Sequence, residues 1–251
     1  MVRLSVNVNK VATLRNSRGG AVPSVMRAVE TIIATGARGI TLHPRADHRH
    51  ITPTDVREIA TVLAGRRHEV EYNIEGDPRP DWVALVHEVR PHQCTLVPVR
   101  AGEITSQAGW VPSSPCAEIA RLIDGFKRAG VRVSVFVDPD LAAVAWAHSV
   151  GADRIELYTE SFARAFEHGA EAAAASVAAY ARAAEAAHAL GLGVNAGHDL
   201  DLENLTLFRT LPHLAEVSIG HALIAHALDV GLMHAVRDYL AVVEGAWPVA
   251  H

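Results

Sequence analysis

Between positions 43 and 50 the chain carries three histidines and two arginines: His43, Arg45, His48, Arg49 and His50. They follow the apolar run Ile40-Thr41-Leu42, which Pro44 interrupts. Imidazoles exchange protons near neutral pH, and guanidinium groups hold anions through paired hydrogen bonds. The chemistry on offer is proton transfer beside a bound anion. A carboxylate, Glu75, closes a second apolar run after Tyr72-Asn73-Ile74, and His198 stands in the sequence Asn195-Ala196-Gly197-His198-Asp199-Leu200. A carboxylate in a narrow, otherwise apolar mouth is costly unless it is paired or protonated, which is the state of a general acid or base working near neutrality.

Other polar residues end apolar runs in the same way: Asn7 and Asn9, Asp138, Glu156, and the pair Gly220-His221. Each has a plain structural alternative. Asn7 and Asn9 could hydrogen-bond across an interior, and Glu156 could sit in a buried salt bridge. Arg18 and Arg49 read equally well as surface cations. His48, His87, His148, His188 and His234 fit exposed or structural positions. Two anion sites are expected. One is Gly220-His221, where a loop opens a helix and its N–H groups point outward. The other is Arg45 with His50; Arg18, in a Gly-rich loop, could reach either. His43, His48, His50, Glu75 and His198 also raise a divalent metal as an alternative. That reading ranks behind, because the pair His48-Arg49-His50 lies beyond the strand end.

For such residues to meet, the strands that carry them must share an edge. Strand-like and helix-like runs alternate along the whole chain. Strands are expected at Arg3–Val8, Ile40–Leu42, Glu69–Ile74, Gln93–Val97, Val131–Val137, Arg154–Tyr158, Gly193–Asn195 and Glu216–Ile219. Helices are expected at Val22–Thr35, after Thr52-Pro53, and at Pro80–Val89, Ala117–Ala129 and Leu141–Ser149. Further helices are read at Ser161–Leu190 with a break at Gly169, Asn204–Thr210 and Leu223–Val243. About eight such repeats without a linker imply one α/β domain over residues 1–251: a (β/α)8 TIM barrel with extra helices. An open doubly wound sheet is weakened by the lack of a GxGxxG turn after the first strand. In a barrel, the residues above collect at the carboxyl ends of the strands, the rim that hosts catalysis.

Hydrophobic residues make up 49% of the 251 positions, and the formal net charge is −5. That balance describes a globular protein with a large core and gives no reason to expect nucleic acid or an anionic membrane as partner. The two cysteines, Cys94 and Cys116, make no disulfide framework. No leader-like apolar segment opens the chain, so a cytoplasmic location is expected.

The motifs Val6-Asn7-Val8, Ala12-Thr13-Leu14-Arg15-Asn16-Ser17-Arg18-Gly19, Gly39-Ile40-Thr41-Leu42-His43-Pro44-Arg45 and Arg49-His50-Ile51 resemble the pyridoxine 5′-phosphate synthase family of vitamin B6 biosynthesis. So do Asn73-Ile74-Glu75, Leu96-Val97-Pro98, Asn195-Ala196-Gly197-His198 and Ile219-Gly220-His221-Ala222, and the resemblance spans nearly the whole chain. It implies a (β/α)8 barrel assembling as a homo-octamer. The implied transferase, acting without a cofactor, condenses 1-deoxy-D-xylulose 5-phosphate with 3-amino-2-oxopropyl phosphate to pyridoxine 5′-phosphate, phosphate and water. It implies His43 and Glu75 as proton acceptors and His198 as proton donor. It assigns Arg45, His50 and Thr105 to the pentulose phosphate, and Asn7, Arg18, Asp199, Gly220 and His221 to the amino ketone phosphate. Asn9 and Lys10 are also expected at the substrates, although many family members have Asp-His there; Asp199 stands where Gly is common. Residues 100–115 are a candidate lid. The competing classes are a metal-dependent barrel lyase or hydrolase and a non-catalytic phosphosugar-binding protein.

Overall fold

The computed structural model describes residues 2–98 and 108–246. Eight parallel strands close into a barrel in chain order: β1 (Arg3–Asn7), β2 (Gly39–Leu42), β3 (Glu71–Gly76), β4 (Gln93–Leu96), β5 (Arg132–Val137), β6 (Arg154–Tyr158), β7 (Gly193–Gly197) and β8 (Leu214–Ile219). Between them run α1 (Asn9–Asn16), α2 (Val25–Thr35), α3 (Pro53–Leu63), α4 (Pro80–Val89), α5 (Cys116–Arg128) and α6 (Leu141–Ser149). Then come α7 (Glu160–Glu167), α8 (Ala170–Ala189), α9 (Leu205–Phe208), α10 (His221–Val230) and α11 (Leu232–Glu244). Both β1 and β8 pair with each other as well as with their sequence neighbours, so no strand edge is left open.

The period-2 alternation of the strands sorts their side chains. In Glu71-Tyr72-Asn73-Ile74-Glu75 the apolar Tyr72 and Ile74 are fully buried among the helices. The alternate residues line the barrel. There Ser5 and Thr41 share a hydrogen bond of 2.7 Å, Asn73 donates to Thr41 (3.4 Å), and Thr95 donates to Asn73 (3.1 Å). Below this ring, ion pairs close the amino-terminal end: Arg3 meets Glu71 (3.0 Å) and Glu216 (3.7 Å), and Arg132 meets Glu71. Arg132 also donates to Gln93 (2.9 Å), and Arg154 to Asn195 (2.8 Å). The interior is therefore polar, where branched apolar side chains more often fill such a barrel.

Two elements differ from the sequence expectation and matter for the site. The segment after β1, expected as a loop, is helix α1. It is held by Arg15, which grips Asp55 with contacts of 2.5 and 2.9 Å. Asp55 at the same time forms the capping box of α3 with Thr52. The final helix is two helices, because Gly231 (φ +84°) ends α10 and opens α11.

Candidate active site

The rim at the carboxyl ends of the strands gathers Asn7, His43, Glu75, Glu156 and His198. Glu75, near the end of β3, is nearly enclosed, with 12% of its side chain exposed. Its Oε2 accepts from Asn7 Nδ2 (3.5 Å) and lies 3.9 Å from His43 Nδ1. Burial first, then the nearby Glu156, push the Glu75 carboxyl well above the usual carboxylate range. Glu156 on β6 is likewise raised by burial, to about 7, although Thr95 donates to it and His198 adds a favourable field. Two buried carboxylates that face one another do not both ionise, so the pair keeps a proton at neutral pH. Glu75 and Glu156 share that proton, since burial raises both carboxyls. Among the described residues Glu156 makes no salt bridge with Lys or Arg; the groups acting on it are Thr95, Glu75 and His198.

His43 directly follows β2 and is 6% exposed. Burial, and then His50, Arg45 and Arg79, lower its pKa to about 3. Burial thus works against charge on both His43 and Glu75, despite a spacing that suits an ion pair. His43 Nε2 is buried with no partner among the described residues, as suits an atom placed for a ligand rather than for the fold. The backbone N–H of His43 donates to Asn9 Oδ1 (2.9 Å), and Asn9 N–H donates to Asn7 Oδ1 (3.0 Å). Helix α1 is thus a strut that ties the ends of β1 and β2. Asn9, expected at the substrate, has its side-chain oxygen engaged in that strut.

The second cluster is cationic. Arg45 is 7% exposed, and His50 lies close by, its ring 6.3 Å from that of His43. Burial, Arg45 and Lys10 lower the His50 pKa to about 4. His50 Nδ1 is buried without a partner among the described residues. A buried guanidinium, a nearby lysine and a neutral imidazole with an unused nitrogen suit an anion. Asn16 and Arg15 of α1 both donate to the His50 carbonyl (2.8 and 3.4 Å), which fixes this loop.

On the far side of β1 lie β8 and β7. Gly220 follows β8 and precedes α10, and a Cβ there would come within 3.1 Å of Asn7 Cβ. A side chain there would press Asn7 back by a few tenths of an ångström. His198 has φ +80° and Asp199 φ +48°. His198 packs edge-on against Tyr158 (82°, centroids 5.0 Å apart) and its Nδ1 lies 2.5 Å from Asp199 Oδ2. Asp199 feels His221, so the first turn of α10 belongs to the same rim.

Of the remaining candidates, Arg18 is exposed beyond α1 and makes none of the contacts that knit these clusters. Arg49 pairs with Asp47 at the surface. Thr105 and the first half of the candidate lid, residues 100–107, lie outside the described residues. No group of three His, Cys, Asp or Glu among the described residues is arranged to hold a metal ion. A surface cleft of about 240 Å³ lined by Glu30, Ile33, Val62 and Arg66 lies by the carboxyl ends of α2 and α3, on the barrel's opposite side. The rim residue that sequence reasoning left open was Glu156; its signal was the alternation of Arg154-Ile155-Glu156-Leu157-Tyr158, which turns Glu156 inward.

A family model described as "Pyridoxal phosphate biosynthesis protein PdxJ" matches residues 4–245. A pyridoxine 5′-phosphate synthase of Porphyromonas gingivalis is 49% identical over 240 residues, covering 95% of this chain and 98% of that protein. One of Christiangramia forsetii is 49% identical over 245 residues, covering 97% and 100%. Among solved structures, 3-hexulose-6-phosphate synthase from Salmonella typhimurium superposes with TM-score 0.64 at 14% identity, covering 98% of this chain and all of that one. At that identity the likeness speaks for the barrel alone. Among the described residues no helix is long and apolar enough to cross a membrane.

Proposed function

This chain belongs to the pyridoxal phosphate biosynthesis protein PdxJ family, and we propose on that premise that it is a pyridoxine 5′-phosphate synthase. Its substrates are 1-deoxy-D-xylulose 5-phosphate and 3-amino-2-oxopropyl phosphate; its products are pyridoxine 5′-phosphate, inorganic phosphate and water. The observation that carries the proposal is the near-half identity to named synthases across almost the whole length of both chains. It is supported by a rim that has two anion-binding regions and a proton-bearing carboxylate pair between them.

Arg45 and His50, with Lys10 nearby, bind the pentulose phosphate. The start of α10 at Gly220-His221, with Asn7, binds the phosphate of the amino ketone. Thr105, Arg18 and the main chain at Asp199 complete the two sites. Imine formation, enolisation, phosphate loss and ring closure each move a proton at an atom beside a carbonyl or imine. Neutral His43 accepts a proton through its unused Nε2. Glu75 donates and accepts in turn, with Glu156 as the second seat for the shared proton. His198 protonates the departing oxygen from the opposite side, since β1 and β8 separate β7 from β2. Staggered acid–base groups of this kind carry the sequence of steps with neither metal nor redox cofactor. The enzyme works in the cytoplasm as a homo-octamer. The test is substrate omission: pyridoxine 5′-phosphate and inorganic phosphate must appear together, and only when both substrates are present. Phosphate release from one substrate alone would point to a hydrolase or lyase, and binding without turnover to a carrier.

A further inference from the structure

Consecutive side chains of a strand point to opposite faces and do not meet. His198 and Asp199 do meet, because both adopt left-handed φ just after β7, at +80° and +48°. Such a conformation is unfavourable for residues with a Cβ, and two in succession persist only where the surroundings impose them. Here they do. Thr159 Oγ1 donates to the carbonyls of Gly197 (3.0 Å) and His198, and Asn204 Nδ2 donates to the carbonyl of Asp199 (3.0 Å). The strained turn yields a 2.5 Å contact between Asp199 Oδ2 and His198 Nδ1. Tyr158 meets the same imidazole edge-on and fixes its plane.

We propose that Asp199 is the positioning residue of His198: its carboxylate holds the proton on Nδ1 and leaves Nε2 as the nitrogen that exchanges protons with substrate. The hydrogen bond from His198, and beyond it Arg164 and His221, keep the Asp199 carboxyl below its usual range, so it remains an acceptor. This division of labour settles what a carboxylate does next to a phosphate site: it is turned to the histidine instead. The effect on rate rests on the synthase reading; the effect on the tautomer does not.

The experiment uses the full-length enzyme labelled with 15N-histidine. Solid-state spectra are taken at alkaline pH, where the rings are neutral, and the His198 signal is identified by its loss in His198→Gln. The wild type is expected to show Nδ1 protonated and Nε2 bare. Asp199→Gly suits the left-handed backbone and should fold, yet its His198 should shift to the Nε2-protonated form. Its kcat should fall about 10- to 100-fold, less than the roughly 10⁴-fold known for a fully buried triad carboxylate, with KM nearly unchanged. Asp199→Asn, which keeps the turn but not the charge, should also lose kcat. A wild-type ring protonated on Nε2, or an Asp199→Gly enzyme with unaltered tautomer and kcat, overturns the proposal. A wild type without turnover removes the synthase reading, and the spectra still decide the role of Asp199.

Discussion

Gly197→Ala tests how closely the carboxylate pair must be held. The added Cβ would lie 2.5 Å from Glu156 Oε1 and 3.3 Å from the Ser218 carbonyl. The carbonyl belongs to β8 and cannot retreat, so Glu156 must move by about 0.9 Å to regain an ordinary 3.4 Å contact. Glu156 is only 4% exposed, and its neighbours leave little room. Overpacking of this kind costs about 1–3 kcal/mol. In a protein of this size that lowers Tm by about 2–10 °C without unfolding it at room temperature. A misplacement near 1 Å of a group in the reacting constellation costs about 100-fold in rate. The expected variant is folded, with KM for both substrates within about threefold and kcat lower by about 100-fold. Steady-state kinetics and a crystal structure of the variant measure both effects. A displaced Glu156 with parental kcat would refute the view that the pair acts in proton transfer.

Other perturbations probe other parts of the account. Burial and Glu71 raise the Glu216 carboxyl to about 8 against the pull of Arg3 and Arg154, so its protonated form favours the folded state. That contribution is complete below the unfolded carboxylate range and is lost between there and about pH 8; Glu216→Gln should flatten the fall in Tm over that interval, and an unchanged pH–Tm curve would contradict this. Asp55→Ala removes the α3 cap and leaves Arg15 half-buried without its partner, for a loss of about 3 kcal/mol by denaturant melts. Its kcat should fall as well, because α1 then no longer steadies His43 and His50; full activity at full folding would count against the strut. Crystals soaked in phosphate should show anions at both Arg45-His50 and Gly220-His221, and occupancy at one place only would dispute the two-site scheme.

Much of this was legible beforehand for physical reasons. Apolar runs alternating with 3.6-period segments left few topologies other than a closed parallel barrel. The titratable residues that ended those runs had to share a rim, and His43, Glu75 and His198 do. What was hidden depended on partners distant in sequence. Helix α1 has a polar face and few apolar positions; its order comes from Arg15 reaching Asp55, 40 residues on. The rise of the Glu75 pKa depends in part on Glu156, on a strand three places away around the barrel. The task of Asp199 depends on two left-handed residues that sequence pattern does not reveal. The start of β3 shows the same limit. Glu69 lies before the strand, since Glu69 and Val70 close a turn on the carbonyl of Arg66.

The central claim is that this rim builds pyridoxine 5′-phosphate through Glu75. Purified wild type and Glu75→Gln, each with both substrates and a metal chelator, measure it side by side. Gln keeps the volume and a hydrogen-bonding head but cannot pass a proton. Wild type should form pyridoxine 5′-phosphate with matching phosphate release, undiminished by the chelator. Glu75→Gln should bind both substrates and turn over at least about 100-fold more slowly. No product from the wild type, or near-equal rates for the two proteins, would contradict the account.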